Sequence, residues 1–238
     1  MGRQAVEMTI EDVSMELSDV KIVRCKWPEG YAPEFKTGQF ITVFWPDTPL
    51  YKRAYSVCSC GLDLGYFDIA VKREGKMGTR IVDWAKVGDR VGVLPPVGKF
   101  LPAFEPGKNL VCIAGGSGVT PFRGFAREAT IRKLDTPITI LYSVRTPADI
   151  IFKNEFLRLE DANSNVTFDV TCTRLESNDP WPGRRGRIDA AWIKEHVTDL
   201  PGTVFYACGP TTFVETVEKM VVAELGATKE QVKTEKWG

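Results

Sequence analysis

Three glycines, Gly115, Gly116 and Gly118, crowd the junction between an apolar run and a helix-like stretch in LVCIAGGSGVTPFRGF, Leu110 to Phe125. With no side chains in the way, backbone N–H groups at the positive end of a helix can approach an anion such as a diphosphate. Leu110 to Ala114 is short, apolar and followed by glycine, which predicts a buried strand. Pro121 fits a first helical turn, where it forfeits no intrahelical bond. The spacing departs from the dinucleotide fingerprint, because Pro121 stands where a third glycine is expected when counting from Gly116. Alone, this segment, with Ser117 at its centre, reads either as an anion cradle or as an ordinary strand-to-helix turn.

The elements around it fall into two patterns. From about Val13 to Phe100, short β-branched and aromatic runs (VKIVRCKW, QFITVFW, RAYSVCS, YFDIAVKR, RVGVL) alternate with breakers such as PEG, PDTP, GLDLG and VGD. Regularly spaced short strands predict a small antiparallel barrel. After PAFEPGKN, apolar strands (LVCIA, PITILYSV, NVTFDVTCT, GTVFYACG) alternate with helical patterns near 121–134, 149–160, 189–196 and 212–225. That alternation predicts a doubly wound parallel sheet. The boundary falls between Leu101 and Gly107, giving domains 1–103 and 104–238. Thr212 followed by Glu215 predicts a capping box at the last of these helices.

Composition removes several function classes. The 238 residues, 43% hydrophobic, suffice for one large or two ordinary cores and exclude intrinsic disorder. Equal numbers of basic and acidic residues, 31 each and with no basic block, point to neither nucleic acid nor an anionic membrane surface. The opening MGRQAVEMTIEDV lacks the apolar core of a signal peptide, and no run is long enough to span a bilayer, so the cytoplasm is the expected compartment. Cys25, Cys58, Cys60, Cys112 and Cys172 read as small buried hydrophobes in a reducing compartment. Cys208 is set apart below. No cysteine cluster suits an iron–sulfur centre. The single histidine, His196, reads as a solvated or capping residue, which rules out histidine triads and zinc sites.

Arg53-Ala54-Tyr55-Ser56, then the GGSGVTPF loop, then Cys208-Gly209-Pro210, in that order along nearly the whole chain, resemble the ferredoxin–NADP reductase family. The resemblance implies an N-terminal Greek-key β-barrel that binds flavin and a C-terminal parallel α/β domain that binds NAD(P)H. It implies that Arg53 pairs with the flavin diphosphate, that Tyr55 lies against the isoalloxazine, and that Ser56 sits near its reactive N5. Ile69-Ala70-Val71-Lys72 is similar to a second flavin-contacting strand. Gly75 to Thr79, including Met77 and Gly78, is similar to the loop that closes on the diphosphate. Here Gly78 followed by Thr79 replaces the serine often found in the family, which puts one hydroxyl contact in question.

The same resemblance places Thr120 at both flavin and dinucleotide, Gly209 and Pro210 by the nicotinamide, and Cys208 beside its hydride-donating C4. It gives Glu235 a proton-handling role and makes Trp237 a cover for the flavin ring. Arg145, Arg174 and Arg187, at strand ends where such sheets bind ligands, would suit a 2′-phosphate and favour NADPH, with Asp149 and Glu176 nearby arguing for NADH. The implied activity passes electrons from NAD(P)H through bound FAD, with FMN second, to a separate one-electron acceptor such as ferredoxin, flavodoxin or an oxygenase component. Two alternatives are an NAD(P)H:flavin reductase acting on free flavin and a flavin-binding electron-transfer subunit of a larger complex. No residue speaks to oligomeric state.

Overall fold

Alternating burial along the first half builds one closed sheet. In the computed structural model, which describes residues 4–31 and 33–237, these strands are β1 (Val6–Leu17), β2 (Val20–Lys26), β3 (Phe40–Phe44), β4 (Arg53–Ser56), β5 (Tyr66–Lys72) and β6 (Arg90–Val97). They pair antiparallel in the order β4-β3-β6-β1-β2-β5. The two ends of that order meet through a bridge between Val57 and Ile69, closing the barrel. Helix α1 (Gly75–Trp84) follows β5 and buries Met77, Gly78, Ile81 and Val82, a helical stripe facing the barrel core. The buried Lys21 ammonium donates to the carbonyl of Ala85 at the end of α1, 3.0 Å away, a cation where the helix dipole favours one.

The second half forms a parallel sheet, as its apolar runs predict. Strands β7 (Asn109–Gly115), β8 (Ile138–Val144), β9 (Val166–Cys172), β10 (Arg184–Arg185), β11 (Thr203–Pro210) and β12 (Val232–Trp237) order as β10-β9-β8-β7-β11-β12. The inner strands β7 and β11 are buried almost end to end, as strands covered on both faces must be. Helices α2 (Thr120–Ile131), α3 (Lys153–Ala162), α4 (Ala190–Glu195) and α5 (Thr211–Lys219) link them, the last running on into a π-helical turn, Met220–Glu224. Two compact units result: the described chain through Leu101 with Arg123–Glu128, and Pro102–Phe122 with the chain from Ala129 onward.

Three expectations need correction. Strand β1 begins at Val6, well before Val13. Met8 and Ile10 are buried on one face, but a bulge between Ile10 and Asp12 breaks the alternation that would have marked it. The helical pattern near 149 splits into a 3-10 turn, Pro147–Asp149, and α3, separated by a buried Phe152 in the left-handed region at φ 60°. The capping box at Thr212 and Glu215 is not formed: α5 starts at Thr211 behind Pro210 with no side-chain cap, and Glu215 lies 3.7 Å from Lys236.

The first unit carries an ion triad in which Asp68 and Arg123 are buried and Arg24 is about one-third exposed. Asp68 on β5 takes a two-pronged pair from Arg24 at 2.7 and 3.0 Å and a further approach from Arg123 at 3.5 Å. Arg123 also donates to the carbonyl of Cys58 at 3.0 Å, fixing the chain two residues past β4. Removing Asp68 strands both arginines without a counter-charge. Asp68→Ala is expected to lower unfolding free energy by about 3–5 kcal/mol, seen as an earlier urea midpoint; an unchanged midpoint would refute the triad's structural weight.

Candidate functional site

Each unit presents a helix start whose backbone is bare. In the barrel, Glu74 precedes α1 but its side chain makes no cap bond and lies 3.2 Å from the Lys72 ammonium, and no acidic residue occupies the first turn. Gly78 sits so close to β5 that a Cβ there would lie 2.3 Å from the carbonyl oxygen of Lys72. Thr79, beside it, is exposed, and its hydroxyl makes no hydrogen bond among the described residues. Arg53 opens β4, exposed, its guanidinium held 4.6 Å over the Tyr51 ring and donating to the Tyr51 hydroxyl at 3.2 Å and the Lys52 carbonyl at 2.8 Å. Among the described residues no carboxylate pairs with it. Tyr55 shares its strand face, half-buried, and burial raises its phenol pKa far above the ordinary range. An uncapped helix start and an arginine with no carboxylate partner among the described residues, both in the barrel unit, are groups that suit a diphosphate, and a tyrosine-bearing strand suits a planar ring.

In the parallel-sheet unit, β7 ends at Gly115 and passes through a 3-10 turn, Gly116–Val119, straight into α2. A Cβ on Gly118 would lie 2.1 Å from the carbonyl oxygen of Cys208, so the turn packs backbone to backbone on the end of β11. The buried Thr120 hydroxyl donates to the Ser117 carbonyl at 2.7 Å and braces the loop, and Pro121 takes the second helical position. In register, Cys208 pairs with Glu235 and Pro210 with Trp237 across β11 and β12. The ends of β8 and β9 are tied by a bond from the Arg174 amide to the Arg145 carbonyl, 2.8 Å. Arg145, Arg174 and Arg187 are exposed, and among the described residues their side chains have no carboxylate partner. Arg184 is instead paired with Asp189, and Arg185 donates to the carbonyls of Glu176 and Asp179 at 3.1 and 2.6 Å. Asp149 accepts from the Thr146 amide and hydroxyl at 2.9 and 2.7 Å, both through Oδ2, which ties its carboxylate into its own turn.

Residues 7–101 match the model of the oxidoreductase FAD-binding domain, and residues 112–219 match that of the oxidoreductase NAD-binding domain. The chain belongs to the ferredoxin reductase-like family of FAD- and NAD-binding oxidoreductases. It is 30% identical over 191 residues to the glycine betaine monooxygenase reductase subunit of Chromohalobacter salexigens, covering 79% of this chain and 52% of that one. It is 28% identical to ferredoxin–NADP reductase B of Sorangium cellulosum, covering 88% of each. The FAD/NAD-binding domain of nitric oxide dioxygenase from Vibrio cholerae has the same fold, with a TM-score of 0.85, 24% identity and 98% of both chains covered. The chain spans about half the length of the first of these relatives.

Within this ferredoxin reductase-like frame several residues stand differently from expectation. Ile69, Val71 and Met77 turn their side chains into the barrel core, leaving only backbone to offer a cofactor; Ala70 lies outside that core cluster. Lys72 is held by Glu74 at 3.2 Å and Asp19 at 3.8 Å. Cys208 is fully buried, and desolvation, reinforced by Glu235 with its carboxylate oxygen 3.9 Å from the sulfur, raises its thiol pKa well above normal. It is a neutral thiol and no nucleophile. His196 ends α4 as its C-cap, edge-on to Trp192 and 3.5 Å from Asp169, in the capping role expected of it. Sequence reasoning missed Trp45, Arg80 and Trp84, which line one cleft; the four-residue spacing of Arg80 and Trp84 on one helix was the available signal.

Two outcomes are expected. Gly78→Ser and Gly118→Ala each force a side chain onto a backbone carbonyl, lowering stability by about 1–3 kcal/mol, measurable by thermal denaturation; unchanged midpoints would show that both helix starts can shift. All six cysteines are free and buried, and burial raises the thiols of Cys112 and Cys208 most. They stay protonated in the fold but ionise when unfolded near about 8.5. Their contribution to stability is therefore complete below that pH and lost as pH rises toward the raised folded values. Iodoacetamide at pH 8 should leave the native thiols unmodified and label all six in urea, whereas fast native labelling of Cys208 would contradict its burial.

Proposed function

We propose that this chain passes electrons from NADPH through tightly held FAD to a separate one-electron acceptor, a ferredoxin, a flavodoxin or an oxygenase component. The observation that carries the reading is the pair of uncapped, backbone-lined helix starts, one in each unit, together with exposed arginines, Arg53 in one unit and Arg145, Arg174 and Arg187 in the other, that pair with no carboxylate among the described residues. Held there, FAD would supply the chemistry of hydride acceptance from a nicotinamide and one-electron release.

The residues supply binding and orientation. Arg53 and the first-turn amides of α1 hold the flavin diphosphate, with the Thr79 hydroxyl in place of the family's serine. Tyr55 supports the ring face, and Ser56 lies near N5. The backbone of Gly115 to Gly118, braced by Thr120, cradles the nucleotide diphosphate. Gly209 and Pro210 receive the nicotinamide, Cys208 limits its approach as an uncharged thiol, and Glu235 handles a proton at the flavin edge. Arg145, Arg174 and Arg187 take the 2′-phosphate, and the engagement of Asp149 within its own turn supports NADPH over NADH. The similarity to a monooxygenase reductase subunit and to a ferredoxin–NADP reductase supports a protein acceptor. No helix among the described residues is long and apolar enough to cross a membrane, and six free thiols suit the reducing cytoplasm.

Desalted protein should stay yellow and reduce ferricyanide with NADPH without added flavin. A colourless protein that turns over only with free FAD would move the assignment to a flavin reductase. A yellow protein with no turnover would point to a subunit that works only in a larger complex. Arg174→Ala should raise KM for NADPH about tenfold and leave that for NADH unchanged; equal effects on both would remove the 2′-phosphate role.

A further inference from the structure

The residues that follow β4 are tied at every position, and one tie comes from a buried cation with no part in the reading above. Val57 donates to the carbonyl of Gln39 at 2.9 Å and bridges Ile69. Cys58 donates to the carbonyl of Asp68 at 2.9 Å, and the Ser59 hydroxyl accepts from the Asp68 amide at 3.0 Å. The stretch Arg123–Glu128 of α2 belongs to the barrel unit and adds more. Arg123, Gly124, Arg127 and Glu128 share one helical face. Arg127 pairs with Asp63 at 3.2 and 3.3 Å, and a Cβ on Gly124 would lie 2.9 Å from the Ser59 carbonyl oxygen. Glu128 accepts from the Thr37 hydroxyl, which itself accepts from the Gly61 amide at 2.7 Å.

Arg123 grips this segment closest to β4. Its Nη1 lies 3.0 Å from the Cys58 carbonyl oxygen, 3.6 Å from the Cys58 sulfur and 3.5 Å from Asp68 Oδ2. Asp68 already has a two-pronged partner in Arg24, so its charge does not require a second arginine. Burying that second cation is costly unless it holds something in return, and its shortest bond is to the Cys58 carbonyl. Ser56 is the last residue of β4, paired with Phe40, and Cys58 follows two positions later. We infer that Arg123 is a positioning residue for the flavin: by fixing the Cys58 carbonyl it fixes where Ser56 stands against the ring edge that accepts the hydride. The inference rests on the flavin reading and extends it to a side chain that touches neither the ring nor the nucleotide. Hydride transfer needs the reacting atoms aligned, and a small displacement of a supporting group slows it without weakening binding.

The test compares wild type, Arg123→Gln, Arg123→Lys and Arg127→Gln as the flavin-loaded full chain. Two readouts are taken: the visible absorption bands of the bound flavin, and the limiting rate and half-saturating concentration of its anaerobic reduction by NADPH or NADH, whichever reduces wild type faster. Arg123→Gln should shift the bands and lower the limiting rate about tenfold or more, with the half-saturating concentration unchanged. Arg123→Lys keeps the charge but not the reach or the planar fork, and should fall between that variant and wild type. Arg127→Gln, on the same helical face but bonded to Asp63, should keep the wild-type bands and rate even where its thermal midpoint falls. Should Arg123→Gln fail to fold, Arg123→Lys decides on the same two readouts. Wild-type bands and rate in the Arg123 variants, or an equal loss of rate in Arg127→Gln, overturn the inference while leaving the flavin reading standing. A wild-type chain that binds no flavin, or whose flavin neither nucleotide reduces, overturns the reading on which the inference rests.

Discussion

Both candidate binding loops depend on one constraint: a helix must begin hard against the carbonyl end of a strand, closer than any side chain permits. Gly78 meets this at the end of β5 and Gly118 at the end of β11, each with a backbone oxygen where its Cβ would be. The close approach keeps first-turn amides beside the sheet and free of side chains, so the helix's positive end remains available to an anion. Substituting either glycine would displace the helix start along with the side chain. The binding surface is thus mainly backbone, set by packing rather than by a catalytic constellation.

Charge is distributed accordingly. Where the chain buries charge it satisfies it, as in Arg24, Asp68 and Arg123, or Lys21 on the α1 terminus. Arg53 in one unit and Arg145 with Arg174 in the other, the arginines proposed to meet phosphates, pair with no carboxylate among the described residues. Unpaired surface cations add little to stability, so retaining them without partners is consistent with a ligand supplying the anion. The thiols follow the opposite rule. Buried and held protonated, they serve as packing, and even Cys208, at the end of a central strand, owes its character to exclusion of water.

Much of this was legible in the sequence. Apolar runs bounded by glycine marked β7 and β11, and one bounded by Pro137 and Pro147 marked β8, because strands covered on both faces need little polar content. The switch from short alternating strands to strands and helices marked two kinds of sheet. What escaped notice did so for local reasons. A bulge hid the start of β1, and a left-handed Phe152 divided a helix. Thr212 and Glu215 had the spacing of a capping box, but Pro210 set the helix start one residue earlier. At the site, motif residues such as Arg53, Tyr55 and Gly118 could be named from their order, but the pattern could not tell side-chain from backbone roles, so Ile69, Val71 and Met77 emerged as core. The cleft at Trp45 and Trp84 joins a loop to a helix 35 or more positions away, a juxtaposition only the folded chain shows.

The most direct test of the account is an anaerobic titration of the flavin-loaded protein with NADPH, followed through the flavin absorbance. The account predicts that the bound flavin bleaches completely at one equivalent of nucleotide. A flavin that stays bound and oxidised in the presence of either NADPH or NADH would contradict it.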